Sequence, residues 1–162
     1  QPVIARVAGM ATAAGCQLVA SCDLAVAGAS ARFATPGVDI GLFCSTPMVA
    51  VTRNVAPKHA MELLLTGEAI SAEEAARIGL VNRVVPDHDL DAAVGELAGK
   101  IAAKSPSTIA LGKEAYWRQR DLPLVDAYTY TSGVMARNLD TVDAAEGIDA
   151  FLTKRPPAWT GR

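Results

Sequence analysis

The stretches Val3-Ile4-Ala5-Arg6-Val7-Ala8-Gly9, Ala11-Thr12-Ala13-Ala14-Gly15-Cys16-Gln17-Leu18-Val19-Ala20-Ser21 and Cys22-Asp23-Leu24-Ala25-Val26-Ala27 follow one another almost without a break, and their reading decides the fold. The first is a short β-branched run ending at a glycine, which reads as a buried strand entering a turn. The second is built almost entirely from small residues, which suits a helix whose backbone packs closely on its neighbours. The third is another apolar run, read as a second buried strand from Asp23 to Ala27. Strand, helix and strand within about thirty residues argue for an α/β element.

Outward from there, Gly28–Ala31 turns the chain toward Phe33, and Pro36-Gly37 marks a further turn. Gly41–Ser45 reads as a loop lined by Leu42, Phe43 and Cys44. Thr46 is expected to cap a helix with Pro47 at its first position, running to about Asn54. Pro57–Leu65 repeats that logic, with Ala60, Met61, Leu64 and Leu65 expected on one apolar face. Ser71 stands three residues before Glu74, the capping-box spacing, and Gly79 is a natural stop. Val81–Val85 reads as a strand halted by Pro86. Helices are then expected over about Leu90–Lys104, Ser107–Gln119, Leu124–Asn138 and Val142–Thr153, followed by an extended proline-bearing tail. The organisation is an α/β front half (1–86) and a helical back half (87–162).

The 162 residues suit one domain, and 51% hydrophobic residues can fill its core, chiefly with Ala, Val, Leu and Ile since only 5% are aromatic. A formal net charge of −2 gives no reason to expect nucleic acid. No apolar run approaches the roughly 18–20 residues that span a bilayer, so no membrane partner is expected. Cys16, Cys22 and Cys44 read as reduced thiols of a cytosolic type of compartment. Cytoplasm is the default, and a mitochondrial matrix protein that has lost a transit peptide would read identically. The start at Gln1, with no initiator methionine, reads as that of a fragment, a processed product or a truncated chain.

Nucleotide-binding glycine fingerprints and the serine-hydrolase elbow are absent. His59 and His88 have no metal-ligand spacing, so no metal and no cofactor are expected. Cys16, beside Gly15, reads either as a nucleophile or as packing. One feature stands out. A strand ends at Gly9 and a helix begins around Ala13–Gly15, where first-turn N–H groups point outward and the helix dipole favours negative charge. The small side chains there would let a ligand carbonyl approach the backbone, as in an oxyanion hole. Close helix–sheet packing explains the same residues.

Taken together these residues resemble the crotonase (enoyl-CoA hydratase/isomerase) superfamily. Pro2–Gly9, Gly15-Cys16-Gln17-Leu18 and Cys22-Asp23 are similar to its P-V-I-A-x-V-x-G, G-G-G-x-E-L and C-D signatures, and Phe33-Ala34-Thr35-Pro36 to its F-x-x-P. Leu65-Thr66-Gly67, Ala75 with Gly79-Leu80-Val81, and Glu146-Gly147 through Ala150-Phe151 to Lys154-Arg155 and Pro157 match its later motifs. The resemblance covers essentially the whole chain. It implies a crotonase (ClpP-like) spiral of β-β-α turns, here its later part only, with a C-terminal helical region that forms homotrimers or dimers of trimers. It also implies an acyl-CoA thioester as substrate or partner, a lyase or isomerase type of chemistry, and a place in fatty acid metabolism.

By the same resemblance, the second oxyanion donor is the backbone of Ala14, and the first belongs to an earlier segment. The family's two hydratase glutamates fall on Gln17 and Gly37. An amide orients water but takes no proton at neutral pH, and glycine offers nothing. Asp39 is the nearest replacement carboxylate, expected on the same side as residue 37 if the segment is extended. It reads as an acid/base or as a loop residue. Thr12, Thr35, Gly37, Phe43 and Ser45 are candidates for contact with the substrate, or structural residues. Lys154 matches a lysine that reaches a CoA phosphate, or is solvated tail charge. The expected activity is therefore enolate stabilisation for isomerisation, decarboxylation or thioester hydrolysis. The rival is a non-catalytic acyl-CoA-binding or assembly subunit.

Overall fold

The computed structural model describes residues 1–162. It holds six strands, all within the first 85 residues, and eight α-helices, the last four in succession. They are β1 (Ile4–Val7), β2 (Met10–Thr12), α1 (Ala14–Ser21), β3 (Leu24–Gly28), β4 (Arg32–Ala34), α2 (Ser45–Val51), α3 (Pro57–Thr66), β5 (Ile70–Ser71), α4 (Ala72–Arg77), β6 (Arg83–Val85), α5 (Leu90–Ala102), α6 (Pro106–Gln119), α7 (Leu124–Leu139) and α8 (Val142–Thr153). Short 3₁₀ helices occupy Pro36–Ile40 and Asp87–Asp89. Residues 1–2 and 99–162 form one compact unit and residues 3–98 the other.

The unit spanning 3–98 carries two small sheets. One has the order β1-β3-β6, all parallel, with Ile4 opposite Leu24 and Val26 opposite Arg83. The other has the order β2-β4-β5, with β2 parallel to β4 and β4 antiparallel to β5. The first two turns of chain, β1-β2-α1 and β3-β4-α2, each give one strand to each sheet before the next helix, the β-β-α spiral expected, and in the third α4 stands between β5 and β6. β3 lies between two parallel neighbours, so Ala25, Val26, Ala27 and Gly28 are all buried and the strand reads as an unbroken apolar run. The core around it holds Val7, Cys16, Phe33, Val51 and Leu63. β2, β4 and β5 are only two or three residues long, too short to show periodicity, and the sequence reading has no strand there.

α1 buries Cys16, Val19 and Ala20, one helical stripe at i, i+3, i+4 spacing. Thr46 is not the cap of α2. The helix starts from Cys44, whose side chain makes no capping bond, so Pro47 falls in the first turn, where its missing N–H is one of those without an intrahelical partner. The Asn54 amide then ties the end of this segment to α1 by donating to the Ala20 carbonyl at 2.8 Å. The apolar face of α3 also differs from expectation: Ala60, Leu63 and Leu64 are buried, while Met61 and Leu65 are 49% and 60% exposed. Two apolar stripes lie side by side on this helix, and only packing selects between them. Ser71 caps α4 as its spacing predicts, accepting from the Glu74 N–H at 3.1 Å.

In the second unit α6, α7 and α8 pack on one another around Ala115, Ala127, Val134 and Ala150. Leu124, Val125, Tyr128, Phe151 and Leu152 of the same helices face outward, Phe151 at 82% exposure. No helix in the chain is long and apolar enough to cross a membrane.

Candidate active site

The chain passes from β2 to α1 through a single residue, Ala13. Its N–H donates to the Ala34 carbonyl at 3.0 Å, as the last bond of the second sheet. Its own carbonyl accepts from the Gln17 N–H at 3.0 Å, as the first bond of the helix. Serving both elements forces φ 47° and ψ −111°, a left-handed conformation that an L side chain resists. Such strain persists only where the surroundings over-determine it. The N–H groups of Ala14, Gly15 and Cys16 follow in the first turn, where the helix supplies no acceptor. Ala14 is exposed, Gly15 has open space where a side chain would stand, and no acidic residue offsets the positive end of the helix. Thr12 is exposed beside this turn.

Gln17 lies half-buried one turn along α1, next to Cys16, which is fully buried. Burial, reinforced by the neighbouring Cys44 thiol, pushes Cys16 up to about 11, so the thiol stays protonated at neutral pH and acts as packing. All three cysteines are free.

The second expected position behaves differently. A Cβ at Gly37 would stand 2.8 Å from the Leu42 carbonyl oxygen, 3.0 Å from Cys44 Sγ and 3.3 Å from the Cys44 nitrogen. The loop is held there by the Leu42 N–H, which donates back to the Gly37 carbonyl at 2.9 Å, and by Gly41 in a left-handed turn at φ 75°. The direction in which a glutamate would leave the backbone is therefore occupied by main chain. The segment is also a 3₁₀ helix rather than extended, so residues 37 and 39 do not share a side. Asp39 is exposed, and its Oδ1 lies 3.2 Å from where a Gly67 Cβ would be, at the C-terminal turn of α3. Gly67 itself has φ 68°.

Of the polar candidates, Thr35 is fully buried and donates to the Leu63 carbonyl at 2.8 Å, a pin between the 3₁₀ turn and α3. Ser45 donates locally to the Phe43 carbonyl at 3.3 Å. Phe43 and Leu42 present 42% and 63% of their surfaces. Lys154 belongs to the other compact unit, at the left-handed C-cap of α8. No three His, Cys, Asp or Glu side chains gather as a metal site. Two features escaped sequence reading: the strain at Ala13, and the Leu42 carbonyl behind Gly37. The Pro36-Gly37 pair was the only signal of the second.

A two-sheet β-β-α spiral with an open helix N-terminus at the end of a second-sheet strand defines a protein of the crotonase fold. The family model for enoyl-CoA hydratase/isomerase matches residues 1–162, and the chain belongs to that family. It is 55% identical over 98% of its length to the mitochondrial enoyl-CoA hydratase domain-containing protein 3 of Xenopus laevis, covering 54% of that protein. The crystal structure of human enoyl Coenzyme A hydratase domain-containing protein 3 superposes with a TM-score of 0.95 at 54% identity, over 98% of this chain and 62% of that one. An enoyl-CoA hydratase of Mycobacterium smegmatis gives 0.96 at 52% identity, again over 98% and 62%. The chain spans about half the length of the curated relatives it matches.

Proposed function

We propose that the whole protein binds an acyl-CoA thioester and holds its carbonyl oxygen at the start of α1, with the Ala14 N–H as one donor and the other supplied by a preceding segment. The observation that carries this reading is the strained Ala13 turn, which leaves first-turn N–H groups open at an exposed, small-residue surface. Thr12 and Phe43 border the acyl group, Thr12 as a hydroxyl beside the turn and Phe43 as apolar surface. Lys154 contributes a charge to the CoA phosphates. The apolar side chains left outward on α7 and α8 support self-assembly into trimers. The mitochondrial designation of the relatives favours that compartment over the cytoplasm.

The chemistry follows from what stands at the two glutamate positions. Gln17 orients a polar group without taking its proton, and position 37 is closed by the Leu42 carbonyl. Each lost acid/base group removes a factor of about 10²–10⁴, so efficient hydration is not this protein's activity. A donor at Ala14 still stabilises a thioester enolate by a factor of about 10²–10³, which suits isomerisation, decarboxylation or hydrolysis. Asp39 is the only carboxylate between residues 35 and 45, and it serves as a base only for an acyl group that reaches the Gly67 turn. The sealed position 37 favours a second reading, a binder that does not turn its ligand over.

Ala14→Pro in the full-length protein separates the readings. Proline is tolerated at the first helical position, where it deletes the N–H, and because its ring also restricts Ala13 the fold of the variant is checked alongside. Loss of turnover across a panel of acyl-CoA thioesters, with helix content retained, is the expected result. Unchanged turnover in the folded variant removes the oxyanion role, and binding without turnover by the unmodified protein establishes the rival.

A further inference from the structure

Beyond α8 the chain doubles back along the helix it has just left. Arg155 donates through Nη1 to Glu146 Oε1 at 2.6 Å, and through Nη2 to Glu146 Oε2 at 2.8 Å and Asp149 Oδ2 at 2.6 Å. The Ala158 N–H adds a bond to Glu146 at 2.7 Å. Trp159 lies over Gly147, its ring 3.2 Å from where a Cβ would be, and donates to the Ala103 carbonyl at 2.9 Å. Thr160 and Gly161 close the run on Asp143, which is buried and also accepts from Ser105 Oγ at 2.6 Å. The tail thus retraces α8 from its last turn to its first.

Lys154 is the apex of this reversal. It adopts φ 56° and ψ 39°, a C-terminal position that glycine fills most readily. It is exposed and makes no ion pair, whereas the next residue makes two. An exposed ammonium on a left-handed backbone thus stands beside an arginine whose guanidinium is held by two carboxylates of α8 and by the Pro156 carbonyl.

We propose that Arg155, with Glu146 and Asp149, is a positioning clamp that fixes Lys154 for an anionic ligand, the phosphates of a coenzyme A thioester. The inference rests on the acyl-CoA reading above. Arg155 does not touch the ligand. It bends the tail back, keeps residue 154 left-handed and so sets where the ammonium stands beyond the helix end.

The test is calorimetric binding of coenzyme A and of pantetheine, which lacks the phosphates, to the full-length protein. Lys154→Ala is expected to weaken coenzyme A by about tenfold and leave pantetheine unchanged. Arg155→Ala and Glu146→Gln are expected to reproduce most of that loss with Lys154 intact, and Arg155→Lys to restore part of it. Lys154→Ala/Arg155→Ala is expected to be no worse than Lys154→Ala, because both act through one contact. An additive loss in the double variant, or tighter coenzyme A binding in Glu146→Gln, means Arg155 meets the phosphate itself and overturns the clamp. Weakening by Lys154→Ala alone, with the clamp variants silent, also overturns it. A silent Lys154→Ala instead removes the phosphate reading beneath it.

Discussion

Replacing Gly37 by alanine is expected to destabilise the protein, although the change adds one methyl group. The new carbon would stand 2.8 Å from the Leu42 oxygen and 3.0 Å from Cys44 Sγ, against roughly 3.4–4 Å for ordinary contact. The oxygen belongs to main chain held from both sides by the Leu42–Gly37 hydrogen bond and the left-handed Gly41 turn, so it cannot swing aside as a side-chain tip would. Overpacking of this kind costs about 1–3 kcal/mol. The smaller entropy of the unfolded alanine chain returns about 0.4–1 kcal/mol. The net loss is about 1–2 kcal/mol, or several degrees in Tm for a domain of this size. Urea and thermal unfolding of the full-length protein measure it. Unchanged or raised stability would show that the position accepts a side chain, and that a glutamate has merely been deleted rather than its place filled.

Three further outcomes are expected. Ala13→Gly should raise the urea midpoint, since relief of a left-handed alanine gives about 1–2 kcal/mol and glycine's extra chain entropy returns about 0.5–1 of it; a lower midpoint would mean that Ala13 is not strained. Thr35→Val should cost about 0.5–1.5 kcal/mol in chemical denaturation by removing the buried bond to the Leu63 carbonyl, and no change would mean that the bond contributes nothing. The Arg155 guanidinium, helped by the Ala158 N–H, lowers Glu146 from 4.5 to about 2, and hydrogen bonds led by Ser105 hold Asp143 below the usual carboxylate range. Depressed carboxyl values stabilise the folded state above the unfolded values, so Tm should fall as pH drops from about 5 toward 2. Glu146→Gln should flatten that slope, and an unchanged slope would refute the assignment.

The spiral was legible where its elements are long or chemically marked. β3 announces itself as an apolar run because it is buried between two parallel neighbours, β1 as a short β-branched run at the edge of the same sheet, and Ser71 and Glu74 announce α4 through capping. The second sheet was not legible, since strands of two or three residues carry no period and exist only through their pairing with β4. The buried face of α3 is not legible either, because its sequence offers two adjoining apolar stripes and only the core chooses Leu63 over Met61. At the site, the small-residue run identified the start of α1, but the strain at Ala13 comes from a sheet bond to Ala34, twenty-one positions away. The premise about Asp39 failed for a related reason. Pro36-Gly37 signalled a turn, and that turn is a 3₁₀ helix, which does not alternate sides as extended chain does.

On the function proposed above, the site keeps an oxyanion donor at Ala14 and lacks the groups that add water. Hydration of crotonyl-CoA by the full-length protein, with Gln17→Glu alongside, tests it most directly. Almost no hydration is expected of the unmodified protein, and at most partial recovery in Gln17→Glu because position 37 stays closed by the Leu42 carbonyl. Robust hydration by the unmodified protein would contradict it, and would move the search for the base to Asp39 or to a residue outside this segment.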